Sequence, residues 1–207
     1  MSRAIRSAEL AKERLAAEVP ELELIDPRSL VGRPGVHAAD PTHLMIETRS
    51  IGLTGYQADD WLRDNHAIDF ELVDHRLITP LFTFAHGEAE VERLVAALRA
   101  LVDEHPDVGG ETDVAPLPSR AELRTEQAML PREAFFARSD NVKPSEASGR
   151  VSAELVTPYP PGIPALAPGE AITQPIVEYL EEIVVAAGAF LEGAAEQSLD
   201  TFRVVAE

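Results

Sequence analysis

The chain of 207 residues contains no cysteine and no long apolar run. Without cysteine, disulfides and thiolate metal sites are excluded, and the composition fits a cytosolic protein. A transmembrane helix needs about 18–20 consecutive apolar residues, so no membrane association is expected. The N-terminal sequence MSRAIRSAELAKERLAAEV lacks the apolar centre of a secretion signal. We expect it to form a helix in which Ile5, Leu10 and Leu15 supply the apolar positions.

Basic residues are scarce, because 18 Lys and Arg stand against 36 Asp and Glu and give a net charge of −18. Such an acidic surface repels phosphate backbones, so no nucleic-acid partner is expected. The same surface would favour a cationic ligand. This preference is weak, and solubility alone explains the charge, since a net charge far from zero keeps proteins apart.

Hydrophobic residues make up 45% of the chain and charged residues 26%, which is typical of a globular protein. The length is sufficient for one large domain or two small ones. Residues 106–119 are rich in proline, glycine and acid, which is the composition of a linker. The sequence therefore predicts two domains, 1–115 and 116–207.

The first half alternates between strand and helix patterns. Val91, Leu94, Val95 and Leu98 begin an apolar face with helical spacing, and His75 and Arg76 lie at a predicted tight turn between two strands. Trp61 and Leu62 are expected to point inward. The order predicts an α/β (α+β) fold, a small sandwich of antiparallel strands with helices on one side. The predicted strands are 21–26, 43–48, 68–74 and 76–84, and the main helices are 54–66 and 87–105.

The second half predicts a mixed α+β domain. A short helix is expected near 131–139, a strand from Arg150 to Val156, a long helix over 174–194 and a last strand over 201–206. Pro175 suits the first turn of the long helix, where its missing N–H costs nothing. Leu191 is expected near the end of the apolar face of that helix.

A proline-rich segment precedes this helix. Five of the 16 prolines lie between Pro158 and Pro168, within the sequence GRVSAELVTPYPPGIPALAPGE that runs from Gly149 to Glu170. Because proline fixes its own φ and extends the preceding residue, the segment is stiff before folding. Three interpretations stay open: a rigid arm at the rim of an active site, a polyproline ligand for a recognition module, and a structural crossover between strand and helix.

Glu170 ends this segment, a few residues before a helix. It is interpreted either as an acid that the helix dipole favours, or as a carboxylate held in place for an ammonium or guanidinium group. Arg150 and Glu154, on the preceding strand, could pair with each other or with a neighbouring chain.

No metal site is expected, because the six histidines lack the close spacing of zinc ligands. His75 and His86 are interpreted as turn or surface residues. The motif GLTGY at 52–56 is interpreted as a helix entry capped by Thr54, with a phosphate or carboxylate contact as the alternative.

Three stretches resemble the bacterial ornithine/lysine/arginine decarboxylases, which are pyridoxal-phosphate-dependent enzymes of the aspartate-aminotransferase-like fold. They are DPTHLMIETRSIGLTGYQADDWLRDNHAIDFELVD, GRVSAELVTPYPPGIPALAPGEAIT and the final LDTFRVVAE. GLTGY at 52–56 and PYPPGIP at 158–164 are the most specific matches. Several motifs in the right order over much of the chain are a specific signal, whereas one proline-rich turn would be weak.

The resemblance is to the C-terminal part of that family. It implies that 1–115 is the small domain and 116–207 the C-terminal domain, and that the large cofactor-binding domain would precede Met1 and be missing here. The family's cofactor lysine follows a histidine in a Ser-x-His-Lys motif. This chain has two lysines, Lys12 and Lys143, and no His-Lys pair. We therefore expect no catalytic residue here, no pyridoxal phosphate bound by this chain alone, and the cofactor only in the complete enzyme.

The resulting hypothesis is a portion or subunit of a decarboxylase of lysine, arginine or ornithine, inactive alone. It would supply pocket walls and oligomer surface to a large-domain partner, as a homo- or hetero-oligomer. The resemblance implies that Tyr159, Pro160, Pro161 and Gly162 shape the substrate pocket, and Glu170 is the candidate contact for the substrate. The alternative is a non-catalytic regulatory or binding protein that reuses this module.

Overall fold

The computed structural model describes residues 2–105, 118–119, 121–159, 162–185 and 190–206, with the backbone alone at residue 185. The chain divides into two compact units, Met1–Thr112 and Asp113–Glu207, called the first and second units below. The predicted linker at 106–119 lies almost wholly outside the described residues. The assignment of the two predicted domains to decarboxylase domains stays a prediction.

The first unit is built on a four-stranded antiparallel sheet in the order β1–β2–β4–β3. Its elements, in chain order, are α1 Ser2–Glu18, β1 Glu23–Ile25, β2 Met45–Glu47, α2 Gly55–His66, β3 Leu72–Val73, β4 Leu77–Thr79 and α3 Glu88–Glu104. Short 3₁₀ turns cover Pro27–Leu30 and Arg49–Ile51. All four predicted strands and the three helices are present, although the strands are shorter than their sequence patterns.

Helix α3 contributes its entire predicted apolar face to the core of the first unit, since every residue of that face is buried. It packs against α1 and α2, while α2 also contacts β3 and β4. On α1, Leu15 is buried, whereas Ile5 and Leu10 are only half-buried. Leu62 of α2 points into the core as predicted, but Trp61 is half-buried and its ring lies 5.2 Å from that of His66.

The described residues of the second unit form three helices and two pairs of antiparallel strands, β5–β8 and β6–β7. Its elements, in chain order, are α4 Pro131–Phe136, β5 Ser139–Val142, α5 Pro144–Ala147, β6 Thr157–Tyr159, α6 Gln174–Val185, β7 Phe190–Glu192 and β8 Phe202–Val205. The mixture of helices and antiparallel strands in both units confirms the predicted α+β class. None of the helices in the described part of the chain is long and apolar enough to cross a bilayer.

The helix predicted over 174–194 is too long. Helix α6 is described to Val185, and residues 190–192 form strand β7, with 186–189 outside the described residues. Leu191 is fully buried, but it belongs to this strand and lies opposite Pro158 of β6. A short apolar run fits a helix face and a buried strand equally well, and here the sequence pattern favoured the wrong one.

Candidate functional site

The proline-rich segment is the connection of an antiparallel pair in the second unit. Single bridges join Val151 to Ala171 and Val156 to Leu166, so 150–156 and 166–172 run alongside each other. The N–H of Val156 donates to the carbonyl of Leu166 at 2.8 Å, and the N–H of Gly149 to that of Ile172 at 2.8 Å. Both ends of the connection are thus fixed by backbone hydrogen bonds. The strand predicted at Arg150–Val156 exists as this pairing and continues directly into β6.

Tyr159 and Gly162, two of the four residues predicted to shape the pocket, lie close together at the end of β6. Tyr159 ends β6 opposite Phe190, and the residue is 49% exposed. Gly162 has a φ of 82°, its N–H donates to the carbonyl of Pro158 at 3.0 Å, and a Cβ there would lie 3.4 Å from the Tyr159 ring. Pro160 and Pro161 lie outside the described residues. Whether these residues shape a pocket stays a prediction.

Glu170 closes the turn that ends the segment. Its N–H donates to the carbonyl of Ala167 at 3.2 Å, and its Oε2 accepts the N–H of Ala167 at 2.8 Å. Pro168 occupies the second position of this turn, and Gly169, with a φ of 86°, the third, as a type II turn requires. The side chain is half-buried. Its carboxylate is therefore oriented by the backbone.

Residues 126–129 form hydrogen bonds with this turn. The sequence did not indicate this contact. The carbonyl of Gly169 accepts from the N–H groups of Ala128 at 2.8 Å and Met129 at 3.1 Å. The side-chain amide of Gln127 donates to the carbonyls of Met129 at 2.7 Å and Pro168 at 3.3 Å. The sequence gives no periodic signal for this segment, because its role depends on pairing with residues about 40 positions away.

Glu154 lies on the predicted strand, and its carboxylate has backbone partners that the sequence did not indicate. It is 1% exposed, and its carboxylate accepts the backbone N–H of Arg203 at 2.7 Å through Oε1 and that of Ala195 at 2.6 Å through Oε2. Its carboxylate thus ties the strand before the proline-rich segment to β8 and to the loop before it. An acid inside an apolar strand pattern was the only signal in the sequence.

In the first unit, GLTGY connects a 3₁₀ turn to helix α2. Gly52 ends the Arg49–Ile51 turn with a φ of 75°, and Thr54 caps α2 by accepting the N–H of Gln57 at 3.1 Å. The side chain of Gln57 accepts the N–H of Thr54 at 2.9 Å, which completes a capping box. Gly55 lies against the turn between β3 and β4. The predicted cap is confirmed, whereas the alternative of a phosphate or carboxylate contact stays a prediction.

A buried carboxylate also lies in the first unit, on β2. Glu47 accepts hydrogen bonds from Arg49 at 2.7 Å and from Arg76 at 3.1 Å, while both arginine side chains stay 42% exposed. Burial opposes ionisation of Glu47, but the hydrogen bonds from Arg76 and Arg49 outweigh it and lower the pKa of the carboxyl. The cluster joins β2 to the turn at His75 and Arg76, which lies where the sequence predicted.

The two lysines, the residue type through which pyridoxal phosphate is held, lie in different surroundings. Lys12 on α1 is paired with Asp26 through its ammonium group. Lys143 is exposed immediately before α5, a helix of one turn. Within the described residues, no three His, Asp or Glu side chains come together as metal ligands do.

Comparison with known proteins identifies the family. Residues 119–190 match the family model described as the Orn/Lys/Arg decarboxylase C-terminal domain. The arginine decarboxylase of Bacillus subtilis is 36% identical over 180 residues, which cover 86% of this chain. The chain belongs to the ornithine/lysine/arginine decarboxylase family. This confirms the resemblance seen in the sequence motifs.

The matches cover only part of these relatives. The chain corresponds to 36% of the Bacillus subtilis enzyme and to 36% of the arginine decarboxylase of Bacillus anthracis, which is 35% identical over 183 residues. Among solved structures, the lysine decarboxylase of Francisella novicida matches 99% of this chain with a TM-score of 0.71. That match covers 40% of the Francisella chain at 17% identity, so it supports the fold alone. This member of the family therefore spans about a third of its curated relatives.

Proposed function

We propose that this chain is the C-terminal portion or subunit of a pyridoxal-phosphate-dependent decarboxylase of basic amino acids. In that enzyme Glu170 would bind the positively charged end of the substrate, and Tyr159, Gly162 and the two prolines between them would line the pocket. The observation that carries the proposal is the fixed, half-buried carboxylate of Glu170 at the end of a stiff connection. The arginine decarboxylases among the relatives support the substrate class.

The residues of this chain do not fit the cofactor. Lys12 is held by Asp26 and Lys143 is exposed without a preceding histidine, so the cofactor and the bond-breaking chemistry belong to the partner in this proposal. The chain's own contribution is electrostatic. A carboxylate that the backbone already orients can bind an ammonium or guanidinium group with little further loss of side-chain freedom. The complete assembly would be an oligomer in the cytoplasm.

Complementation tests the assignment. We expect the chain with pyridoxal phosphate alone to show no aldimine absorbance and to release no CO₂ from arginine, lysine or ornithine. Together with the region of the Bacillus subtilis arginine decarboxylase that precedes the matched part, it should release CO₂ from a basic amino acid. Radiometric CO₂ measurement with all three substrates also identifies which one is preferred.

Two outcomes would contradict this proposal. Stoichiometric cofactor that borohydride fixes to Lys12 or Lys143 would show that the chain binds the cofactor itself. A stable complex with the large region that never releases CO₂ would favour a non-catalytic regulatory protein that reuses this module.

The role of Glu170 is tested by Glu170→Gln in the complemented enzyme. The amide oxygen can still accept the N–H of Ala167, so the turn should persist while the charge is lost. A charge-assisted contact contributes about 1.5–3 kcal/mol, so kcat/KM for the basic amino acid should fall roughly tenfold to a hundredfold. Steady-state kinetics and thermal melting are measured on the same preparations.

Glu181→Gln is the matched control, because Glu181 is an exposed acid on α6 of the same unit. It should leave kcat/KM within about twofold, as expected for surface electrostatics alone. Unchanged kinetics for Glu170→Gln with a lower melting temperature would assign Glu170 a purely structural role at the turn. Unchanged kinetics together with an unchanged melting temperature would show that Glu170 is an ordinary surface acid.

A further inference from the structure

We propose that Gln127 is a positioning residue that fixes the carboxylate of Glu170 through the Pro168–Gly169 peptide. The inference rests on the proposed function of Glu170 as the contact for a cationic substrate. Gln127 is exposed as a residue, yet its side-chain amide donates to two backbone carbonyls, those of Met129 and Pro168. The second of these carbonyls belongs to the central peptide of the Glu170 turn.

The central peptide of a β-turn determines the turn type. Type I and type II turns differ by a flip of this peptide, which reverses the direction of its C=O and N–H groups. Here the N–H of Gly169 donates to the carbonyl of Ser152 at 2.8 Å, and the carbonyl of Pro168 accepts from Gln127 at 3.3 Å. Both ends of the peptide are therefore held, one by the neighbouring strand and the other by Gln127.

The position of the Glu170 carboxylate depends on that turn. Its Oε2 accepts the N–H of Ala167, the first residue of the turn, at 2.8 Å. A flip of the central peptide would change the direction in which Glu170 leaves the turn and would break this contact. Gln127 thus acts on the carboxylate without touching it.

The side-chain amide of Gln127 also lies close to Gly169 of the turn. A Cβ at position 169 would lie 2.7 Å from Nε2 of Gln127 and 3.2 Å from the carbonyl carbon of Met129. The amide can reach the Pro168 carbonyl because Gly169 has no side chain. The type II geometry and the Gln127 contact therefore depend on the same glycine.

The first test uses the full chain alone. Gln127→Met keeps the length of the side chain but removes its donor, while Gln197→Met makes the same change at an exposed position of the same unit. Hydrogen exchange at the Ala167 amide should become roughly three- to tenfold faster in the first variant, as expected for the loss of one hydrogen bond, and stay unchanged in the second. Unchanged exchange in Gln127→Met would overturn the proposal.

The second test measures kinetics in the complemented enzyme. Gln127→Met should raise KM for the basic amino acid about three- to tenfold and leave kcat within about twofold, because binding of the charged end is affected and bond breaking is not. When Glu170→Gln is already present, Gln127→Met should change KM no further, since the charge that it positions is gone. Additive effects of the two changes, or a fall in kcat with KM unchanged, would contradict a role through Glu170.

The two proposals fail in different ways. If Glu170→Gln leaves KM unchanged, the proposed function of Glu170 is wrong, and the link from Gln127 to substrate falls with it. If Glu170→Gln raises KM but Gln127→Met does not, the proposed function stands and the positioning role of Gln127 is wrong.

Discussion

Replacing Gly55 by alanine is expected to lower the free energy of unfolding of the first unit by about 3 kcal/mol or more. A Cβ at this position would lie well inside contact distance of the carbonyl oxygens of Asp74 and Leu77, and 2.9 Å from the carbonyl carbon of Leu77. These are backbone atoms, so no side-chain rotation can relieve the overlap. Either α2 or the turn between β3 and β4 has to move.

The turn resists that movement because it is held by several hydrogen bonds. The carboxylate of Asp74 accepts the N–H groups of Arg76 at 2.7 Å and Leu77 at 2.8 Å, and the N–H of Asp74 donates to the carbonyl of Leu77 at 3.0 Å. Arg76 is further tied to Glu47 on β2. Helix α2 is equally constrained, because its capping box begins at Thr54, one residue before Gly55.

Urea unfolding followed by Trp61 fluorescence measures this effect in the first unit, since the chain has a single tryptophan and it lies on α2. Gly87→Ala is the matched control. A Cβ there would meet the guanidinium of Arg3, which is the mobile end of an exposed side chain, so a cost of less than about 1 kcal/mol is expected. Equal midpoints for the two variants would show that the close approach at Gly55 can relax without cost.

The sequence predicted the first unit better than the second because the first is dominated by local patterns. Helix α3 repeats its apolar residues with helical spacing, and the turn at His75 and Arg76 separates two short alternating strands. Periodicity of this kind needs only neighbouring residues. The length of α6 was predicted wrongly because Leu191 fits a helix face as well as it fits the strand opposite Pro158.

The candidate site was predictable only in part. Proline content predicted a stiff segment, and the carboxylate at its end was recognisable as Glu170. The central peptide of its turn contacts Gln127 and Ser152, and no local pattern relates these residues to the turn. Pairing between distant segments depends on register, and around this turn the pairing consists of single bridges, Gln127 with Glu170 and Val151 with Ala171, rather than of long alternating strands.

Replacing Glu154 by alanine is expected to lower the free energy of unfolding of the second unit by about 2–5 kcal/mol. The change removes the acceptor of two backbone N–H groups, those of Ala195 and Arg203, at a carboxylate that is 1% exposed. A buried donor left without a partner costs about 1–3 kcal/mol, and this applies more to the half-buried Arg203 than to the exposed Ala195, whose N–H water can reach. The lost volume of the side chain adds a cavity term of the same sign.

The effect should be confined to the second unit. Amide hydrogen exchange by mass spectrometry is expected to show faster exchange in β8 and along 150–156, while the Trp61 transition of the first unit keeps its midpoint. Glu146→Ala, at an exposed acid of α5, is the control and should change stability by no more than about 0.5 kcal/mol. A Glu154→Ala variant with the exchange pattern of the Glu146→Ala control would mean that water or a backbone shift satisfies both donors. The buried carboxylate would then not be what joins β8 to the strand that leads into the proline-rich segment.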